Sequence, residues 1–115
     1  VSRSLKLYLE DILQSGNKVL NFTANMTLEE LVRDERTFDA VAHNLQIIGE
    51  ATKNIPEEIR SQYPQVDWRK IAGLRDIIAH TYFSIDEEII WDIIQNKLSI
   101  FLEQIQNILL NCVDE

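Results

Sequence analysis

The chain has 115 residues, 45% of them hydrophobic and 26% charged, the composition of one globular domain spanning 1–115 rather than of a disordered tail. Its net charge of −8 argues against a general coater of RNA or DNA, since neutralising phosphates supplies most non-specific affinity, although a local basic patch can persist on an acidic whole. A lone Cys112 excludes an internal disulfide, a cysteine-based zinc site and a CxxC pair, and neither a signal-peptide pattern nor an apolar run near the roughly 18–20 residues of a membrane span is present, so a cytoplasmic protein without membrane contact is expected.

With only 3 Gly and 2 Pro there is little turn material, and long helices are expected. Leu5, Tyr8, Leu9, Ile12, Gly16, Val19 and Leu20 recur at helical spacing and mark a first helix of about five turns. Residues 21–26 lose that periodicity and read as a connection. Thr27 and Glu30 form a capping box, and Leu28, Leu31, Phe38, Val41, Ala42, Leu45, Ile48 and Ala51 predict one long second helix to about Asn54. Pro56, followed by Glu57 and Glu58, opens a short helix that Pro64 ends. Asp67 reads as the N-cap of a helix bearing Ile71, Leu74, Ile77 and Ile78 and running to about Thr81. Ser84 and Glu87 predict a second capping box before a last helix, whose Ile90, Ile94, Leu98, Phe101, Ile105, Ile108 and Cys112 lie close to a heptad stripe. Ile89, Trp91, Ile93, Ile100, Leu102 and Leu109 widen that stripe, as if it were buried both in its own core and against a partner. The expected fold is all-α: an antiparallel helical bundle of four main helices plus one short helix.

The segment Arg75-Asp76-Ile77-Ile78-Ala79-His80-Thr81-Tyr82 concentrates chemistry in an otherwise apolar stretch. Asp76 and His80 are one turn apart and share a face, so the carboxylate can orient the imidazole or screen Arg75. Arg75 and His80 stand about 140° apart around the helix, which lets them flank a cleft. Tyr82 is expected just beyond the helix end. On spacing alone, the blander reading is the favoured one: Arg75 and Asp76 solvated, and His80 complementing a helix C-terminus.

That segment resembles the Arg-x4-His-x-Tyr signature of the HepT-like toxins, within the HEPN superfamily of helical ribonucleases. The similarity extends through Ile47-Ile48-Gly49-Glu50-Ala51, Ile55-Pro56-Glu57-Glu58-Ile59-Arg60, Trp68-Arg69-Lys70-Ile71-Ala72-Gly73-Leu74 and Tyr82-Phe83-Ser84-Ile85-Asp86, in order, from about Asp11 to the last helix. Two departures stand out: Asp67, where relatives often carry Pro, and His43, where many carry Arg. The resemblance implies a HEPN-like fold and a metal-independent endoribonuclease that needs no cofactor. It implies the toxin half of a type VII toxin–antitoxin pair, acting on RNA from a homodimer interface. It also implies a nucleotidyltransferase antitoxin that uses ATP to attach AMP to the motif tyrosine. By position the catalytic pair is Arg75 and His80, with Asp76 auxiliary and Tyr82 the point of modification.

The residue types suit such a reaction. Imidazole exchanges protons near neutral pH, and a permanently charged guanidinium grips phosphate oxygens. Arg69, Lys70 and Lys53 are candidate RNA contacts, with Arg33, Arg36 and Arg60 as further contributors to a basic patch. His43 lies between core positions and reads as structural, Glu50 and Lys53 as a surface ion pair ahead of a site-lining role, and Trp68 and Trp91 as core or dimer packing ahead of stacking on bases. Neither histidine stands in a recognisable metal-ligand spacing. Cys112 reads as inert. The rival reading is a helical docking module for a nucleotidyltransferase, without nuclease activity, which the acidic charge favours.

Overall fold

The computed structural model describes residues 3–83 and 86–112, and within its helices the side chains of Arg3, His80–Phe83 and Cys112 are left undescribed. The first helix, α1 (Arg3–Thr23), turns Leu5, Leu9, Ile12 and Val19 into the core, as their spacing predicts, and runs slightly past the expected end. Thr23 closes it by donating from Oγ1 to the Val19 carbonyl at 2.8 Å, and Asn25 then takes a left-handed φ of 63° in the turn. The Thr27–Glu30 capping box forms in both directions and starts α2 (Leu28–Arg33).

One long second helix was expected here, and the structure breaks it at Asp34. That residue ends α2 and caps α3 (Glu35–Lys53). Its two carboxylate oxygens accept from the Thr37 N–H at 3.1 Å and the Thr37 hydroxyl at 2.7 Å. Aspartate competes with the helical backbone for hydrogen bonds, and here that local competition outweighs the continuing apolar period. Helix α3 buries Val41, Ala42, Leu45, Ile48 and Gly49, packing along α1 on one side and against the motif-bearing segment on the other.

The short helix α4 (Glu57–Gln62) starts after Pro56 as expected. The single helix expected from Asp67 to Thr81 is two: α5 (Trp68–Ala72) and α6 (Leu74–Phe83), divided at Gly73. Gly73 turns its N–H to the Arg69 carbonyl at 3.0 Å and its own carbonyl to the Asp76 N–H at 3.1 Å. Asp67 does occupy the N-cap position, but its side chain makes no capping bond; the carbonyl takes the Ile71 N–H instead. Trp68 is buried as expected: its indole N–H donates to the Tyr63 carbonyl at 3.0 Å, and its ring meets Phe101 edge-on with centroids 6.2 Å apart.

The last helix begins at α7 (Glu87–Asp92), with Asp86 in the N-cap position; the expected partner Ser84 lies outside the described residues. A π-helical turn, Ile93–Lys97, joins it without a break to α8 (Leu98–Cys112). Such a turn leaves no signal in apolar spacing. The surplus apolar residues divide: Ile93 and Leu102 enter the core, Trp91 and Leu109 are half-buried, and Ile89 and Ile100 remain exposed. Among the described residues the fold is all-α, and no helix is long and apolar enough to cross a membrane.

Candidate active site

Helix α6 places the motif. Leu74 and Ile78 are fully buried and lock one side of the helix to the core, which leaves Arg75, Asp76 and Ala79 exposed on the other. Asp76 stands in the first turn, where a carboxylate suits the helix dipole. The side chains of His80 and Tyr82 lie outside the described residues, but their backbone positions do not. Contrary to expectation, Tyr82 is not beyond the helix: α6 continues to Phe83, because no Gly or Pro interrupts it. Positions 75 and 82 are therefore about two turns apart in the same helical register.

Arg75 reaches its place through two consecutive residues of α3. Gly49 presents no side chain to the α5–α6 junction: a Cβ there would stand 3.3 Å from the Arg75 amide nitrogen and from the Leu74 Cβ. Glu50, beside it, accepts from the Arg75 Nη1 through Oε2 at 3.4 Å. Both side chains are open to water, at 67% and 53% exposure, so the pair is worth at most about 1 kcal/mol and its strength is not what matters. What it fixes is direction: through Nη1 it holds the guanidinium over α3. The ion pair expected between Glu50 and Lys53 thus gives way to one across 25 residues of sequence.

The hollow beneath Arg75 is a groove of about 260 Å³ lined by His43, Gln46, Ile47, Glu50 and Arg75. His43 was expected to be structural; it is exposed, because the core face of α3 belongs to Val41, Ala42, Leu45 and Ile48 on either side of it. His43 is the candidate that sequence reasoning passed over, and Glu50 takes the site-lining place that it had ranked below a surface ion pair. The available signal was the polar stripe at 43, 46 and 50 opposite the apolar one. The basic residues do not gather here. Lys53, Arg69 and Lys70 are exposed but stand outside the groove lining. Arg33 borders a separate hollow between α2 and α7, and Arg60 pairs with Glu57 at 3.6 Å. Among the described residues no three His, Cys, Asp or Glu side chains are grouped as metal ligands.

Comparison with known proteins shows the family of the chain. The profile of the family described as Ribonuclease HepT-like matches residues 12–108, from the middle of α1 almost to the end of α8. The chain belongs to the HepT-like ribonuclease family. A provisionally named RNase of Methanocaldococcus jannaschii is 42% identical over 107 residues, covering 93% of this chain and 88% of the relative. A second such RNase of that organism is 40% identical over 90 residues, covering 78% and 74%. A protein of Thermococcus cleftensis named as a probable ribonuclease HepT is 37% identical over 98 residues, covering 85% and 89%. No solved structure matches the chain. The membership carries the HEPN-type helical fold with it, and it puts Arg75, His80 and Tyr82 inside the matched span.

Proposed function

We propose that this HepT-like protein is the RNA-cleaving toxin of a type VII toxin–antitoxin pair, working without a metal ion from a homodimer interface. The observation that carries the reading is Arg75, exposed on the first turn of α6 and held by Glu50 over an open groove. A surface guanidinium fixed in direction but bound weakly is what a phosphate-gripping residue requires.

The chemistry follows from the residue types. His80 takes the proton from a ribose 2′-OH, and the 2′-oxygen attacks the adjacent phosphorus. The bond to the 5′-oxygen breaks, and that oxygen leaves with a proton supplied by an acid. The products are a 2′,3′-cyclic phosphate and a 5′-OH end. Arg75 neutralises the charge that builds on the non-bridging oxygens. In a two-fold dimer each copy brings one Arg75 and one His80 to a shared cleft. Asp76, one turn before His80, serves as the auxiliary carboxylate. Lys53, Arg69 and Lys70 supply outlying contacts to the strand. A nucleotidyltransferase antitoxin silences the toxin by transferring AMP from ATP to Tyr82. Position 82 falls two turns from Arg75 on α6, so the added phosphodiester competes for the same guanidinium.

The test is cleavage of RNA by the purified protein in EDTA, with the ends analysed. Wild type is expected to leave cyclic phosphates. His80→Ala should lower the rate by about 10²–10⁴-fold, and Arg75→Ala should be comparably impaired, both with helicity intact. Tyr82→Phe should still cleave but escape inactivation by antitoxin and ATP. Cleavage that disappears in EDTA and returns with a divalent ion would reject the metal-free scheme. Folded, RNA-inert wild type would favour the docking-module alternative.

A further inference from the structure

The groove beside Arg75 has a second wall whose chemistry the motif does not use. His43, Gln46, Ile47 and Glu50 occupy positions i, i+3, i+4 and i+7 of α3, so one stripe of that helix faces the same hollow. Resting on the ribonuclease reading, we infer that His43, Gln46 and Ile47 form a nucleotide subsite that receives the base next to the phosphate held by Arg75.

Each member has a distinct part. Ile47 is half-buried and offers an apolar floor between two exposed polar side chains, the surface on which one face of a base can lie. Gln46 carries a donor and an acceptor on one amide, which can pair with the adjacent donor and acceptor that a base of a single strand leaves open on its edge, adenine N6 and N7 among them. His43 adds a flat ring that can stack and an N–H that can reach a phosphate or a base.

Charge and shape favour a strand over other ligands. On a chain of net charge −8, the carboxylate in this lining is Glu50, and Arg75 already balances it. An anionic ligand therefore meets no unpaired negative charge among the lining residues. The hollow is a shallow groove on the side of α3, suited to a single strand lying across it with one base turned in. Arg75 stands at the same hollow as the three α3 residues, so phosphate and base are engaged together.

The test uses the full chain and fluorescently labelled 2′-O-methyl RNA single strands, oligo-A and oligo-U, which cannot be cleaved because the nucleophile is blocked. Wild type is expected to bind oligo-A more tightly than oligo-U. His43→Ala and Gln46→Ala should each weaken oligo-A binding by about three- to tenfold, and His43→Ala should narrow the preference, which comes from the larger purine face laid on Ile47 and His43. Gln95→Ala, on the π-helical turn of the last helix, serves as the control and should match wild type. Variants at 43 and 46 that bind both strands as wild type does would overturn the subsite. So would variants that leave RNA affinity unchanged but dissociate the oligomer by light scattering, which would make this face an interface between copies. If wild type cleaves natural RNA in an Arg75-dependent way while these variants bind normally, only the subsite fails. If wild type neither binds these strands nor cleaves RNA, the ribonuclease reading fails and takes the subsite with it.

Discussion

A single arginine in this protein is placed by a glycine and a glutamate far away in sequence. Gly49 lets the α5–α6 junction settle against α3, and Glu50 then catches the guanidinium at 3.4 Å. Because the pair is exposed, Glu50→Gln should change stability by less than about 1 kcal/mol, read by thermal melting. Its effect should appear in turnover instead, as a kcat lower by up to about tenfold, since misorienting a catalytic group raises the barrier. An unchanged kcat would mean that Glu50 does not orient Arg75. Asp34 makes a different residue-scale prediction. The Thr37 hydroxyl and then the Thr37 N–H bond its carboxylate and hold its pKa below the ordinary aspartate value. A depressed folded pKa means that the contribution is present above the unfolded value, roughly 3.9, and is lost as pH falls through the folded one. Asp34→Ala should therefore melt at a lower temperature than wild type at neutral pH, and the two should converge in acid. Asp34→Asn should retain most of the cap.

At the scale of elements, the starts of helices are written locally, the start of α3 at Asp34 included, and the break at Gly73 is not. Thr27 and Glu30 cap α2 as their spacing predicts, because both partners lie within one turn. Nothing comparable marks the break at Gly73, which separates α5 from α6. Trp68 anchors that junction through its edge-on contact with Phe101 of α8 and its bond to the Tyr63 carbonyl. Trp68→Ala should cost about 3–5 kcal/mol, visible as a lower denaturation midpoint. Trp68→Phe should recover part of that loss by keeping a ring in the cavity. A Trp68→Ala variant as stable as wild type would show that α6 is held by its own buried face alone, through Leu74 and Ile78.

For the molecule as a whole, the acidic charge and the proposed work on RNA are reconciled by geography. The protein carries 19 acidic residues against 11 Lys and Arg, yet the carboxylate lining the Arg75 groove is paired. Affinity for RNA should therefore rest on few phosphate contacts and fall only shallowly with salt, since the salt slope scales with the number neutralised. The proposed two-fold dimer should appear as twice the monomer mass in light scattering at micromolar concentration, and a monomer there would remove the shared cleft. Exposed Ile100 and Leu110 on α8 leave apolar surface of the kind a second copy can cover.

The sequence by itself determined the all-α class, the capping box at Thr27, the burial of Trp68 and the family to which the motif belongs. These follow from short-range regularities: apolar spacing, caps, and residue types in fixed order along one helix. The cut at Asp34 and the run of α6 through Tyr82 are local too, although apolar spacing does not register them. Tertiary structure accompanies the rest: the division of the motif-bearing helix at Gly73, the π-helical turn, and the place of His43, read as structural, at a groove. The partner of Arg75 belongs to the same group. Glu50 and Lys53 satisfy the local rule for a helical ion pair, but packing α3 against α6 through Gly49 brings a guanidinium within reach of Glu50. Spacing along one helix encodes neighbours a turn away; it holds no record of which helix another will pack against.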